Sequence, residues 1–239
     1  MCEILIKITV ITGSSRSIGA AIAKRLAQDG ASVVINYASN EAAAKEVADE
    51  INDIRSGTAI IVKADVSTVE SCKHLLDETL KAFGRIDILV LNAGIMGSRT
   101  LHEVDEKIFD ESFLINVKGP FFLVQAAEPH LKEGGRVIFF STSIAKNSAV
   151  TPPYLVYAAT KGAIEQFSRV LSKELGAKGI TVNTVSPGPV ATPLFLNGKP
   201  EQVVTAIANT HPLKRIGTVE DIAPVVAFLA SPEAGWVNG

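Results

Sequence analysis

The sequence predicts an α/β domain built on a doubly wound parallel β-sheet with helices on both faces. Six short runs rich in β-branched residues alternate along the 239-residue chain with segments long enough to form helices. The runs are apolar almost throughout, which is typical of parallel strands buried on both faces. A polar residue or a glycine follows each run. Because ligands of such sheets bind outside the carboxyl ends of the strands, this pattern also predicts where a site lies.

The element boundaries follow from these runs and from the glycines between them. In the last long helix, apolar residues recur at three- and four-residue spacing from Ile164 to Leu175, which marks one buried face. Gly30, Gly84 and Gly176 stand at segment ends, where a left-handed C-cap glycine is expected. We predict strands at Ile4–Thr12, Ser32–Asn36, Thr58–Lys63, Ile86–Asn92, Arg136–Ser141 and Thr181–Ser186. We predict helices at Ile18–Asp29, Glu41–Ile54, Val69–Phe83, Asp105–Leu131 and Tyr154–Leu175.

Composition excludes several classes of protein. The chain carries 25 acidic and 23 basic side chains for a net charge of −2, whereas nucleic-acid-binding proteins show a strongly basic face. No apolar run approaches the roughly 20 residues that a membrane-spanning helix needs. Cys2 and Cys72 are too few for a disulfide framework, so we expect a cytoplasmic protein. The four histidines show no metal-ligand spacing, and we predict no metal site.

A glycine-rich turn joins the first strand to the first helix at Thr12–Gly19. Such a turn directs backbone N–H groups and the positive end of the helix dipole at a phosphate. The alternative is an ordinary strand-to-helix turn, and the position after the first strand favours the phosphate site. Sites for NAD place Asp or Glu after the second strand, but here Asn36–Asn40 is neutral. Arg16 could pair with a 2′-phosphate, so we infer NADP(H); the alternative is a solvated Arg16.

The candidate chemical centre is the pair Tyr157 and Lys161. Four residues apart at the start of a helix, the phenol and the ammonium share one helix face. A neighbouring ammonium stabilises a phenolate, so we expect Lys161 to lower the pKa of Tyr157. The pair alone is a weak signal, and two further residues strengthen it. Ser143 ends the fifth strand and could donate to a carbonyl oxygen, and Asn116 is a polar residue in an apolar helix.

Together these motifs resemble the compact, single-domain branch of the short-chain dehydrogenase/reductase family. The resemblance covers nearly the whole chain and is carried by Thr12–Gly19, Asp65-Val66, Asn92-Ala93-Gly94, Asn116, the serine before Tyr157-xxx-Lys161, and Pro187-Gly188. It implies a Rossmann-like fold in which residues 1–239 form one dinucleotide-binding and catalytic domain. Within the family, the chain looks like NADPH-dependent aldehyde or ketone reductases.

The resemblance also implies a role for each matching residue. Tyr157 would donate the proton in reduction, and Lys161 would lower its pKa and bind the nicotinamide ribose. Ser143 would orient the substrate carbonyl, and Asn116 would hold a water behind Lys161. The residues that would contact NADP(H) are Gly13, Ser15, Arg16, Ser17, Ile18, Gly19, Asn36, Tyr37, Ala38, Ser39, Asp65, Val66, Asn92, Ala93, Gly94, Tyr157, Lys161, Pro187, Gly188, Val190 and Thr192.

The chain departs from the family pattern at four places. Ser17 replaces the middle glycine of the cofactor loop, which would place a Cβ near the pyrophosphate. The serine position is ambiguous because Ser141, Thr142 and Ser143 are contiguous, and Ser143 is preferred over Thr142. The opening residues Met1–Lys7 lack the usual polar lead-in. The sequence stops after Trp236–Gly239, where the family continues into a seventh strand, so we expect that strand to be truncated.

These observations predict an NADPH-dependent oxidoreductase that reduces an aldehyde or ketone reversibly, with residues 191–212 as a substrate lid carrying one short helix. The apolar residues of that lid and of the preceding loop suit a medium-sized apolar carbonyl substrate. The alternatives are a non-catalytic NADP(H)-binding regulator and a weakly active relative with an altered cofactor loop. From the resemblance we also expect a homotetramer or homodimer, joined through the helices at Asp105–Leu131 and Tyr154–Leu175.

Overall fold

The computed structural model describes residues 7–239. It contains a six-stranded, all-parallel sheet with the strand order β3-β2-β1-β4-β5-β6. The strands are β1 Ile8–Ile11, β2 Ser32–Tyr37, β3 Ala59–Lys63, β4 Ile88–Leu91, β5 Arg136–Phe140 and β6 Thr181–Val185. The predicted fold class and all six strands are confirmed; residues 4–6 of the first predicted strand lie outside the described residues.

Both faces of the sheet are buried, which explains why the strand sequences are apolar throughout. Consecutive residues of one strand point to opposite faces, so Val33 joins the core on one face and Val34 the core on the other. In the same way, Leu89 and Val90 of β4 are fully buried on opposite sides. Each face is therefore covered by helices, as parallel sheets require.

Three helices cover one face and three cover the other. The first group is α1 Ser17–Gln28, α2 Glu41–Ile54 and α9 Val219–Ala230. The second is α3 Val69–Phe83, α5 Gly119–Ala127 and α6 Leu155–Gly176, with α4 Glu106–Phe113 preceding α5. Polar side chains begin α2 and α3, where Asn40 and Thr68 accept hydrogen bonds from backbone N–H groups that have no partner within the helix.

The predicted helix Asp105–Leu131 is wrong as a single helix. A π-helical turn at Leu114–Lys118 separates α4 from α5, and the segment ends in a 3₁₀ turn at Glu128–His130. Gly176 is also not a left-handed cap, because α6 runs through it and the positive φ falls on Gly179. Gly84 does cap α3 in the left-handed conformation, at φ 73°. Helix α9 has no counterpart in the sequence prediction, since Pro224 interrupts an apolar segment without a clear helical period.

The segment predicted to form the lid, residues 191–212, carries two helices rather than one, α7 Pro193–Leu196 and α8 Glu201–Thr210. A single bridge between Val190 and Gly217 joins the two ends of this segment. The two ends of this segment are therefore held next to each other. Within residues 7–239, every helix is too short or too polar to cross a lipid bilayer.

Candidate active site

The turn after β1 is compact because two of its residues lack a side chain. Gly13 has φ 62°, a conformation that favours glycine. A Cβ on Gly19 would lie 2.5 Å from the carbonyl oxygen of Gly13 and 2.7 Å from Nδ2 of Asn92. Helix α1 can therefore begin directly against the turn, with the N–H groups of its first turn facing the edge of the sheet.

Ser17, the first residue of α1, has a left-handed backbone with φ 52°. An L-residue with a Cβ is strained in this conformation. Ser17 replaces the family glycine but has a backbone conformation that glycine adopts without strain. Ser17 and Lys214 are the residues other than glycine with positive φ in the described part of the chain.

The buried side chain of Asn36 supports the turn. Its side chain is 2% exposed; Oδ1 accepts from the N–H of Gly13 at 3.0 Å, and Nδ2 donates to the carbonyl of Ala64 at 3.0 Å. The backbone N–H of Asn36 donates to Oγ of Ser14 at 3.0 Å. These bonds give the side chain a structural role at the ends of β1, β2 and β3, and its predicted contact with a cofactor stays a prediction.

The other residues predicted to bind the adenosine part of a cofactor divide into exposed and buried ones. Arg16, Ala38 and Ser39 are exposed beside the turn and after β2. Tyr37 is buried in the core with α2. Asp65 is exposed, and its carboxylate accepts from the N–H of Ser67; the adjacent Val66 is buried.

Asn92, Ala93 and Gly94 connect the turn to the chemical centre. Nδ2 of Asn92 donates to the carbonyls of Thr12 at 2.9 Å and Gly13 at 3.1 Å. A Cβ on Gly94 would lie 3.1 Å from Oδ1 of Asn116 and 3.4 Å from Nζ of Lys161. The absence of a side chain at Gly94 therefore lets the segment after β4 pass close to both groups.

Tyr157 and Lys161 lie in the first two turns of α6, as predicted. Nζ of Lys161 donates to the carbonyl of Phe140 at 2.8 Å and lies 5.8 Å from the centre of the Tyr157 ring. Burial lowers the pKa of Lys161 to about 8, and burial also raises the pKa of Tyr157 to about 12. Loss of hydration therefore dominates at the phenol in the protein alone, and the lowering expected from Lys161 stays a prediction.

Asn116 is placed by the π-helical turn, a feature often found at functional sites. Its Oδ1 accepts from the N–H of Ile95 at 2.9 Å, and its Nδ2 donates to the carbonyl of Ile95 at 2.8 Å. Nδ2 also donates to Oγ1 of Thr160 at 3.2 Å. The side chain thus holds the segment after β4 against α6, next to Lys161.

The hydroxyls of Thr142 and Ser143 are the two candidates for the carbonyl donor. The nearby Thr142 side chain partly offsets the burial that raises the pKa of Tyr157. Ser143 is exposed, and its backbone N–H donates to the carbonyl of Pro187 at 2.9 Å. Both residues line the same cavity. The preference for Ser143 over Thr142 therefore stays a prediction.

A buried carboxylate that the sequence prediction did not include lies one turn beyond Lys161. Glu165 is 5% exposed and accepts from Oγ of Ser141 at 3.1 Å and from Oγ of Ser186 at 3.3 Å. Its other oxygen pairs with Lys146 at 3.2 Å. Glu165 therefore joins the ends of β5 and β6 to α6. The sequence signal for Glu165 is its spacing of four residues from Lys161, which places the two residues on the same face of α6.

A cavity of about 660 Å³ opens at this edge of the sheet. Tyr157, Lys161 and Thr142 lie in its wall, and the lid covers it with Leu194, Phe195, Val203 and Ile207. Of the predicted cofactor residues, it also contains Ile18, Asn92, Gly94, Pro187, Gly188, Val190 and Thr192. The remaining predicted residues around the turn and β2 lie outside this cavity. No group of three or more His, Cys, Asp or Glu side chains with metal-ligand geometry occurs within residues 7–239.

Comparison with known proteins decides the family. A family model described as enoyl-(acyl carrier protein) reductase matches residues 13–239. The short chain dehydrogenase/reductase AacuN of Aspergillus aculeatus is 44% identical, over 98% of this chain and 92% of that protein. This chain belongs to the short-chain dehydrogenase/reductase family. As a member, it is an oxidoreductase.

Two further relatives show the kinds of reductase to which this family member is similar. The hydroxynaphthalene reductase-like protein Arp2 of Metarhizium robertsii is 41% identical over 98% of this chain and 91% of its own length. The crystal structure of the landomycin C-6 ketoreductase LanV, with bound NADP and rabelomycin, is 36% identical, with a TM-score of 0.87 over 97% of this chain and 91% of that one. The Rossmann-like fold predicted for a short-chain dehydrogenase/reductase is thus confirmed.

Proposed function

We propose that this short-chain dehydrogenase/reductase uses NADPH to reduce a ketone or aldehyde to an alcohol, with Tyr157 as the proton donor. The observation that carries the proposal is the phenol of Tyr157 in the wall of a largely apolar cavity, with Nζ of Lys161 5.8 Å from the centre of its ring. A pKa of about 12 keeps the phenol protonated at neutral pH, which is the state that a proton donor requires.

The residues around the turn fit a dinucleotide. The first N–H groups of α1 lie beside Gly13, where an anionic pyrophosphate would be favoured. After β2, Ala38 and Ser39 are exposed and uncharged, and the guanidinium of Arg16 is free to reach a 2′-phosphate. The NADP bound to LanV supports the same choice. We therefore assign NADP(H) as the cofactor.

When bound, the cofactor supplies the hydride, and the protein supplies orientation and a proton. The hydroxyls of Ser143 and Tyr157, which line the same cavity, would both donate to the substrate oxygen and hold the carbonyl against Tyr157. The proton then passes from Oη of Tyr157 to the developing alkoxide. Lys161, whose ammonium is held by the carbonyl of Phe140, would stabilise the resulting phenolate and would bind the nicotinamide ribose. Asn116 keeps the backbone near Lys161 in place.

The proposed substrate is a medium-sized apolar ketone, and a fused-ring aromatic ketone fits best. The lid contributes Leu194, Phe195, Val203 and Ile207 to a cavity large enough for such a skeleton. The name of the hydroxynaphthalene reductase-like relative supports a fused-ring substrate, and the LanV name supports reduction at a ketone. The description of the family model favours a second candidate, reduction of an enoyl thioester, which the same assay can test.

The deciding experiment is the Tyr157→Phe variant assayed by NADPH oxidation against fused-ring ketones, aliphatic aldehydes and an enoyl thioester. We expect loss of turnover by at least about 100-fold with NADPH binding nearly unchanged, because only the proton donor is removed. Tyr154→Phe is the matched control: it removes a neighbouring phenol of the same cavity and should leave measurable turnover. Full activity of Tyr157→Phe would contradict the mechanism.

Two results would favour the alternatives. Saturable NADPH binding without turnover of any compound would favour a non-catalytic NADP(H)-binding regulator. Very weak NADPH binding would favour a relative impaired by Ser17. Measuring NADPH fluorescence during titration separates these outcomes, and repeating it with NADH tests the cofactor assignment.

We also propose that the protein forms a homodimer or homotetramer. A groove of about 550 Å³ between α4, α5 and α6 is lined mainly by apolar residues, including Phe113, Phe121 and Phe167. Val170 of α6 is 54% exposed, whereas Ala127 of α5 is buried in the chain's own core. A second copy placing the same helices over the groove would cover it. Gel filtration giving a mass near that of one chain would contradict this proposal. The prediction of a single domain and the prediction of a cytoplasmic location stay predictions.

A further inference from the structure

The cavity wall contains a second lysine, far along the chain from the chemical centre. Lys199 lies in the lid between α7 and α8 and is half-buried. Its Nζ donates to the carbonyl of Phe195 at 2.6 Å and lies 4.7 Å from the centre of the Phe195 ring. These two contacts fix the direction of the ammonium, but neither neutralises its charge.

The ordinary explanation is that Lys199 only satisfies a carbonyl at the end of α7. That bond uses one of the three donors of the ammonium. Lys214 makes the same kind of bond to the carbonyl of Asn209 at 2.7 Å, and it does so outside the cavity. Satisfying a helix end therefore does not require an ammonium in the wall of an apolar cavity.

The charge of the cavity is the second observation. The residues that line it include Lys161 and Lys199 but no Asp or Glu. Elsewhere, Lys146 and Lys178 pair with Glu165 and Glu128. Among residues 7–239, no carboxylate oxygen lies within 4.0 Å of Nζ of Lys199. An apolar cavity with an unneutralised cation at its wall is complementary to an apolar ligand that carries one negative charge.

We propose that Lys199 is a specificity-determining residue that binds an anionic oxygen, a carboxylate or an ionised phenol, on the ketone substrate. Val203 and Ile207 of α8 would contact the carbon skeleton, while Nζ of Lys199 donates its two remaining hydrogens to the anion. This inference rests on the proposed function, because it names the class of substrate for the same cavity.

The test compares a charged and a neutral ligand of the same ring size. 2-Naphthoate and 2-naphthylmethanol are titrated into the protein–NADPH complex by calorimetry, for the wild type, Lys199→Gln, Lys199→Arg and Lys214→Gln. We expect Lys199→Gln to weaken naphthoate binding roughly tenfold or more, which is the effect of losing a charged hydrogen bond. The effect on naphthylmethanol should be much smaller. Lys199→Arg should recover most of the affinity for naphthoate, and Lys214→Gln should match the wild type.

Three outcomes would overturn the inference. These are equal weakening of both ligands in Lys199→Gln, equal loss in Lys214→Gln, and no naphthoate binding by the wild type. A lower affinity of Lys199→Gln for NADPH itself would assign the ammonium to a cofactor phosphate instead. Binding measured in this way does not depend on turnover, so the Tyr157→Phe assay can fail or succeed separately from it.

Discussion

Replacing Ser17 by glycine should stabilise the protein, although glycine usually weakens helices. Ser17 has φ 52° at the first position of α1. The left-handed conformation costs an L-residue about 1–2 kcal/mol, and glycine avoids that cost. Glycine also gives the unfolded chain more freedom, which costs about 0.4–1 kcal/mol. The difference predicts that Ser17→Gly raises the free energy of unfolding by about 0.5–1 kcal/mol.

Urea denaturation of the cofactor-free protein measures this difference directly. Ser15→Gly is the matched control, because Ser15 lies in the same turn and does not have a positive φ. It gains the unfolded-state freedom without any relief of strain, so it should lose about 0.4–1 kcal/mol. The two variants therefore make the same chemical change with opposite expected signs.

The same variant has a consequence for binding. Removing the Cβ of Ser17 leaves more room at the start of α1, so we expect the Kd for NADPH to fall. Equal losses of stability in Ser17→Gly and Ser15→Gly would refute the reasoning. It would show that contacts of the Ser17 side chain, and not backbone strain, determine the energy of this turn.

Two further predictions concern buried polar groups. Asn36→Ala should lower the free energy of unfolding by about 2–3 kcal/mol, because the N–H of Gly13 and the carbonyl of Ala64 lose their partner. Urea denaturation measures this loss. An unchanged midpoint would contradict the prediction and show that water replaces the amide. Lys161→Met should change the pH dependence of stability. The folded pKa of Lys161 is lowered to about 8, so the unfolded chain binds more protons between pH 8 and 10.5 and the wild type gains stability as pH rises through that window. Lys161→Met should lack this gain in stability, whereas the exposed control Lys173→Met should retain it. Parallel plots of the free energy of unfolding against pH for Lys161→Met and the wild type would contradict the lowered pKa.

The apolar runs were sufficient to predict the sheet, because a strand buried on both faces can be read from its own residues. Val33 and Val34 enter different cores, yet both are apolar, and the sequence shows that directly. The π-helical turn around Asn116 could not be predicted in this way. Its extra residue per turn follows from contacts with Ile95 and Thr160, which are distant in sequence.

The chemical centre shows the same division. The spacing of Tyr157 and Lys161 predicts that they share a helix face, and they do. The pKa of Tyr157 depends on how much water the surrounding elements exclude, and spacing carries no information about that. Thr142 and Ser143 differ by one position at a strand end, where the next residue points in another direction. Their spacing from Tyr157 therefore does not decide which of the two hydroxyls faces a substrate carbonyl.

The bonds of Asn36 separate mechanical support from recognition. The amide of Asn36, which holds the turn, is buried. Ala38 and Ser39, two and three positions later, are exposed to solvent and do not support the turn. An acidic or a basic side chain could therefore be introduced at either of these two positions without disturbing the turn. In such a fold, preference for a phosphorylated or unphosphorylated ribose can drift during evolution, or be redesigned, while the scaffold that holds the dinucleotide stays intact.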